Sequence, residues 1–365
     1  MQSKPHYDIL DALRGVAAIA VVCYHLFEAI AFSAGDPEQK MFHGFLAVDF
    51  FFILSGFVMG YAYDNRWGSI SLGDFIRRRL IRLHPMVVMG VLIGMIAFIA
   101  QGSLRWDGTF VDLSTVLWCT LMGLFLIPSC THLDVRGNTE MFPLNGPHWS
   151  LFFEYIGSLL YGLFLHRLST KTLRLWVIVA LALMIGNALY MGEGHIAYGW
   201  SSEPLNVWGG FLRLSFGYPA GLLLARLYHQ ARPTQMSKAV FPLSALAVLA
   251  LLCVPNLHSL SLCYQILCLG IFFPLIIWTG ARGVVEGGVK KTASLLGRIS
   301  YPLYAIHYPL IYMYIRWLND GVNPLGMPSW CTPIAIFCTA ILGAYFIMRY
   351  YDEPIREWLS HKQES

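Results

Sequence analysis

The chain has 365 residues, 56% of them hydrophobic and 13% charged, a formal net charge of +4 and a mean hydropathy of +0.56. That balance excludes a water-soluble globule of this size and points to one polytopic membrane domain, since apolar runs of about 20 residues joined by short loops account for the length. The positive charges gather in a few loops and so report topology, and nucleic acid is not an expected partner.

In chain order, apolar runs centre on residues 13–33, 42–63, 85–102, 113–130, 148–166, 173–191, 205–228, 240–255, 262–280, 299–318 and 331–350. The first is too long for a signal-peptide core and is followed by no small-residue cleavage pattern, so it is read as a mature helix. If all eleven runs cross, the loop with Arg167, Lys171 and Arg174 falls opposite the one with Arg77, Arg78, Arg79 and Arg82, against the positive-inside rule. If 113–130 fails to cross, those loops join Arg226–Lys238, Arg282–Arg298 and the tail with Arg356 and Lys362 on one side. The segments 192–204, 256–261 and 319–330, which hold no Lys or Arg, then lie on the other.

The expected fold class is therefore an all-α polytopic membrane protein with about ten transmembrane helices and cytoplasmic N and C termini. A re-entrant or surface-lying helix is expected in the external segment 103–147. The membrane domain spans the whole chain, 1–365, with its core at about 8–352 and a short cytoplasmic tail at 353–365. The sequence holds no internal repeat, which counts against an inverted-repeat transporter. Eight cysteines include no CxxC pair, and Cys23, Cys253, Cys268 and Cys338 sit inside apolar runs, so neither a metal site nor a disulfide framework is expected.

An ionisable side chain inside a span costs several kcal/mol unless paired or facing water, so each one is a candidate site residue. The first run, "LDALRGVAAIAVVCYHL", carries Arg14 and His25, eleven residues apart. At 100° per residue the helix returns to within about 20° of its start, so both lie on one face, His25 roughly 16 Å deeper than Arg14. Counted from the outer surface, Asp49 in "AVDFFFILSGF", Glu154 in "PHWSLFFEYIGSLLYG" and Arg213 in "GGFLRLSFGYPAG" approach the level of His25, while His307 in "SYPLYAIHYPL" approaches from the cytoplasmic side. Each can serve in a structural ion pair or in chemistry. Glu28, one turn beyond His25, reads as a marker of the outer interface, and Ser55 as a packing residue, since no GxSxG elbow surrounds it.

The stretch "DFIRRRLIRLHP" is a positive-inside signal that also suits anion capture. Arg79 and Arg82 share a helical face and their planar forks match phosphate oxygens. A ligand with a phosphate-rich head and a thin arm fits: acyl-coenzyme A, with phosphates on Arg79, Arg82 and Arg14, Arg78 beside them, and its thioester delivered near His25.

The segments "LDALRGVAAIAVVCYH", "FLAVDFFFILSGFVMG", "FIRRRLIRLHP", "HWSLFFEYIGSLLY" and "GRISYPLYAIHYPL", in this order, resemble the acyltransferase-3 family of integral-membrane acyltransferases, which includes O-acetyltransferases of bacterial surface polysaccharides and nodulation factors. The resemblance implies transfer of an acyl group, usually acetyl, from cytoplasmic acyl-CoA to a hydroxyl of an extracytoplasmic glycan or glycolipid, at the bacterial inner membrane. It implies essential roles for the arginine and histidine matched here by Arg14 and His25, and matches Arg79 and Arg82 to the family's paired arginines. Some members carry a fused extracytoplasmic hydrolase-like domain. The reading here has none, so the acyl group passes directly to its acceptor or through a separate partner protein.

A sugar hydroxyl is a poor nucleophile at neutral pH, and imidazole is the natural base to take its proton as it attacks a thioester, which assigns that role to His25. Glu154 or Asp49 would orient the ring. Arg213 or His148 would stabilise the oxyanion or hold the acceptor, with His307 the next candidate base. Trp106, Trp200 and Trp330 suit stacking on sugar rings and interfacial anchoring equally. The competing class is a transporter or flippase for a sugar-containing or anionic substrate, in which the buried charges form a relay.

Overall fold

The computed structural model describes residues 7–35, 39–231, 234–326 and 328–361; Lys362, counted above in the basic tail, lies outside them. Every apolar run is helical: α1 (Asp8–Ala34), α2 (Ala47–Tyr63), α3 (Leu72–Ala100), α4 (Leu113–Leu124), α5 (His148–Leu163), α6 (Thr170–Met191), α7 (Pro204–Ala231), α8 (Val240–Leu252), α9 (Ser261–Leu267), α10 (Phe273–Gly280), α11 (Gly287–Asn319), α12 (Cys331–Ile347) and α13 (Glu353–His361). One π-helical turn, Cys268–Phe272, joins α9 to α10, and another, Met348–Asp352, joins α12 to α13. Among the described residues β-structure is limited to two isolated bridges, Leu104 with Phe110 and Glu140 with Ser201.

Among the described residues six helical segments are long and apolar enough to cross a membrane, which makes this a multi-pass membrane protein. They contain α1, α2, α3, α6, the α9–α10 pair and the α12–α13 pair. Of the other expected spans, α5 and α8 have 16 and 13 residues. α7 and α11 have 28 and 33, and their apolar character is diluted by Gly, Pro, Tyr and charged residues.

The run at 113–130 forms a short helix, as does the run at 240–255. α4 has 12 residues, a rise of about 18 Å against a hydrocarbon core of about 30 Å. Asp112 caps it by accepting from the Thr115 N–H at 3.0 Å. Leu113, Leu117, Leu121 and Phe125 form an exposed stripe at i, i+4 spacing, while Val116, Cys119, Thr120 and Gly123 face inward.

The helices at the centre touch at backbone distance. A Cβ on Gly15 of α1 would lie 2.3 Å from the Leu296 carbonyl oxygen of α11, and one on Gly221 of α7 would lie 1.9 Å from that of Ile53 on α2. Small residues are what permit such approach where apolar burial gives no net drive between helices. Prolines inside helices free carbonyls one turn back, and side chains take them up. Pro219 frees Ser215, whose oxygen accepts from Trp176 Nε1 at 3.1 Å. Pro309 frees Ala305, whose oxygen accepts from Asn145 Nδ2 at 2.7 Å.

The segment expected as a short tail is built into the fold. Residues 353–361 continue α12 as a helix, and Glu353 accepts both Nε and Nη2 of Arg298, each at 2.7 Å.

Candidate active site

Two cavities lie toward the two ends of α1, and α2 and α11 line both. The N-terminal half of α1 and of α11 meets the C-terminal half of α2 around a cavity of about 280 Å³, into which Arg14, Arg79, Arg82, Arg298 and Arg356 project beside Asp11, Glu154 and Asp352. At the other end, His25, Glu28, Tyr24, Trp149, Tyr304 and Tyr308 line a cavity of about 360 Å³, to which the loop after α3 adds Trp106, the loop before α5 adds Glu140 and the loop before α7 adds Trp200. Along α1, seven residues separate Arg14 from Val21, where the second cavity begins, a rise of about 10 Å.

In the basic cavity, Arg14 Nη1 donates to Asp11 at 2.8 Å. Arg79 is buried: its Nη2 donates to Glu154 at 2.8 Å and its Nε to Ser158 at 3.1 Å, and Ser55 donates to the same Glu154 oxygen at 3.2 Å. Arg82 lines the cavity and makes no hydrogen bond or ion pair among the described residues. Arg78, grouped with these from the sequence, is exposed and lies outside the cavity lining, because consecutive residues point 100° apart on a helix.

In the aromatic cavity, Nδ1 of His25 lies 2.7 Å from Glu28 Oε2. The same carboxylate accepts from Tyr24 at 3.0 Å and from Tyr308 at 3.5 Å. Nδ1 is thereby the donor, and Nε2 keeps the lone pair. The carboxylate on His25 is therefore Glu28, three residues along the same helix, and neither Glu154 nor Asp49. Glu154 is held in the basic cavity by Arg79, because depth counted along a helix does not tell which way a side chain faces. Asp49 pairs with Arg213 at 3.0 and 2.7 Å, both almost fully buried. Arg213 lines the cavity, but its remaining bonds go to the Tyr198 and Phe45 carbonyls at 2.7 and 3.3 Å, so it closes a wall and offers no free fork.

His307 is fully buried behind His25, the two rings stacked at 5.3 Å. Its Nδ1 donates to the Leu303 and Tyr304 carbonyls at 3.1 and 2.9 Å. His148 is not at the cavity: it is fully buried against Gly90, where a Cβ would meet its Nε2 at 2.8 Å. Trp330 is exposed and also outside the cavity, whereas Trp106 and Trp200 are in its wall. Sequence reasoning missed Tyr24, Tyr308, Tyr312 and Glu140, and passed over Glu28. Only Glu28 carried a usable signal, its i, i+3 spacing from His25. Among the described residues no cluster of three or more His, Cys, Asp or Glu forms a metal site.

Residues 7–349 match the acyltransferase-3 family, described as an acyltransferase domain. The chain is 32% identical over 197 residues to a protein named Protein 2 in picA locus of Rhizobium radiobacter, an alignment covering 51% of this chain and 98% of that one. It is 25% identical to the peptidoglycan O-acetyltransferase OatA of Listeria monocytogenes, over 97% of this chain and 56% of that protein. It is also 25% identical to the acyltransferase MdmB of Streptomyces mycarofaciens, over 97% of this chain and 92% of that one. The chain thus spans little more than half the length of the peptidoglycan O-acetyltransferase it matches. No solved structure matches it. With a family match across nearly all of its described length, the chain belongs to the acyltransferase-3 family of multi-pass membrane acyltransferases.

Proposed function

We propose that this protein moves an acyl group, acetyl in the first instance, from acyl-CoA in the basic cavity to a hydroxyl of a glycan or glycolipid in the aromatic cavity. The observation that carries the reading is that one helix, α1, presents an arginine to one cavity and a carboxylate-held histidine to the other. The donor's phosphates meet Arg82 and Arg14, with Arg79 behind them, and its arm runs the roughly 16 Å along α1 to His25. The acceptor oxygen attacks the thioester carbon as His25 Nε2 takes its proton. The C–S bond then breaks, the thiolate leaves with that proton, and the acyl oxygen ester remains. Glu28 holds the ring and stabilises imidazolium.

The family match supports acyl transfer over transport, and the aromatic wall suits sugar rings. The orientation in this reading has ten spans, with the basic cavity and both termini cytoplasmic and residues 103–147 outside. Thiol labelling tests it: exposed Cys130, kept as the sole cysteine, and Glu193→Cys react with an impermeant reagent on intact cells, and Lys171→Cys does not. The reverse pattern would invert the topology. Transfer itself is tested with purified protein, acetyl-CoA and a glycoside, following thiol release and product mass; a sugar that crosses vesicles unmodified would favour the transporter.

A further inference from the structure

The outer loops hold a second carboxylate that the chemistry at His25 does not use. Glu140, in the segment between α4 and α5, is buried and faces the aromatic cavity. Its Oε2 accepts from the Tyr312 hydroxyl on α11. Its backbone is fixed by the bridge to Ser201, by Met141 N–H to the Trp200 carbonyl at 2.9 Å, and by the Thr139–Ser201 hydroxyl pair at 2.8 Å. Both outer loops therefore set this carboxylate in one position, and Tyr312 stacks edge-on against Tyr308 at 4.6 Å, leading toward Glu28 and His25.

Two arginines lie nearby, and Nη2 of one of them, Arg136, has no hydrogen-bond partner among the described residues. Arg213 is neutralised by Asp49. Arg136 lies outside the cavity lining, packed on the rings of Tyr312, Phe98 and Trp106 at 4.1, 4.8 and 5.0 Å, with its Nη1 donating to Gln101 at 2.8 Å and its Nε to the Pro143 carbonyl at 3.3 Å. A ligand in this cavity meets aromatic faces and two carboxylates, and no open guanidinium. A cavity near the lower end of the ~300–1,000 Å³ usual for small-molecule sites has room for a sugar ring or two rather than a polymer.

We propose that the aromatic cavity is an acceptor site for a neutral, polyhydroxylated ring, and that Glu140 is a specificity-determining residue that accepts hydrogen bonds from its hydroxyls and turns acidic rings away. This rests on the acyl-transfer reading and narrows its substrate class. A neutral ring supplies hydroxyl donors to a carboxylate and loses nothing by charge. A uronate brings a third negative charge into a desolvated space holding Glu28 and Glu140, where like charges repel strongly.

The test uses the full-length protein in detergent with acetyl-CoA and a matched pair, methyl glucoside and methyl glucuronide, reading kcat and KM for each by thiol release and product mass. The wild type is expected to prefer the glucoside by tenfold or more in kcat/KM. Glu140→Gln raises the glucoside KM several-fold, more than it lowers kcat, and narrows the preference to threefold or less. Tyr312→Phe keeps the ring over Arg136, removes the hydroxyl that positions the carboxylate, and shifts KM in the same direction, which covers the case of a Gln variant that does not fold. A wild type that acetylates both sugars equally, or a folded Glu140→Gln protein with unchanged preference, would overturn the proposal and leave Glu140 as a packing partner of Tyr312. Absence of any acetylation by the wild type would instead sink the transfer reading, and this inference with it.

Discussion

The two cavities along α1 solve opposite problems. The basic one is built from regular helices, and its arginines come from α1, α3, α11 and the α12–α13 segment. Most of those arginines already have carboxylates: Arg14 has Asp11, Arg79 has Glu154, Arg298 has Glu353 and Arg356 has Asp352. Without such partners, several cations held together would repel one another and resist folding. Arg82 stands apart, with no such ion pair among the described residues. The aromatic cavity keeps its charge negative and its surface apolar, and about a third of its lining residues come from irregular loops. The contrast teaches that one helix, α1, can border a cavity of paired charges at one end and a mostly aromatic one at the other.

The largest effect should come from cutting the chemistry on the aromatic side. His25→Ala lowers transfer by roughly a hundredfold or more, the range of a general base, while acyl-CoA binding by the folded protein persists. Equal turnover in that variant would move the base elsewhere, with His307 next to test. Glu28→Gln breaks the carboxylate hold on Nδ1 and lowers kcat by roughly tenfold or more, with little change in donor KM. An unchanged rate there would make Glu28 a mere interfacial residue.

On the basic side the same experiment should read out as binding. Arg82→Ala removes the uncommitted fork and raises the KM for acyl-CoA by about tenfold or more, the worth of one charge-assisted contact, with kcat nearly intact. Arg79→Lys weakens the contact to Glu154 and loses the Nε bond to Ser158, so its first consequence is a lower Tm by several degrees. If Arg79→Lys left Tm untouched and Arg82→Ala left KM untouched, the division between structural and ligand-facing arginines would be wrong.

How much of this was legible in the sequence follows the same division. Helix periodicity is local, so the shared face of Arg14 and His25, the short helix at 113–130 and the basic character of one side could all be read from spacing and charge. Asp49 and Arg213 were found as charges at one depth, and they pair as such charges must. Glu154 was placed beside His25 because depth was counted along its helix, while its azimuth, set by Arg79, depends on a packing no single helix encodes. Glu140 and Arg136 lie in an irregular segment where neither the 3.6-residue nor the 2-residue period applies. Nothing in that stretch reveals that its carboxylate meets a tyrosine 172 residues later.

The smallest expected effect tests the outer loops alone. Burial pushes the Glu140 carboxyl up to about 7, against the opposing pull of the Tyr312 hydroxyl and Arg136, with Asp134 adding to the rise. A carboxyl raised in this way is neutral below that pH and charged above it, so repulsion of an acidic acceptor grows as pH rises through neutrality. The glucoside-to-glucuronide ratio of kcat/KM should therefore increase by roughly threefold between pH 6 and 8. Glu140→Gln is the control: a ratio that becomes flat with pH assigns the switch to Glu140, and one that keeps its slope takes that role away from it.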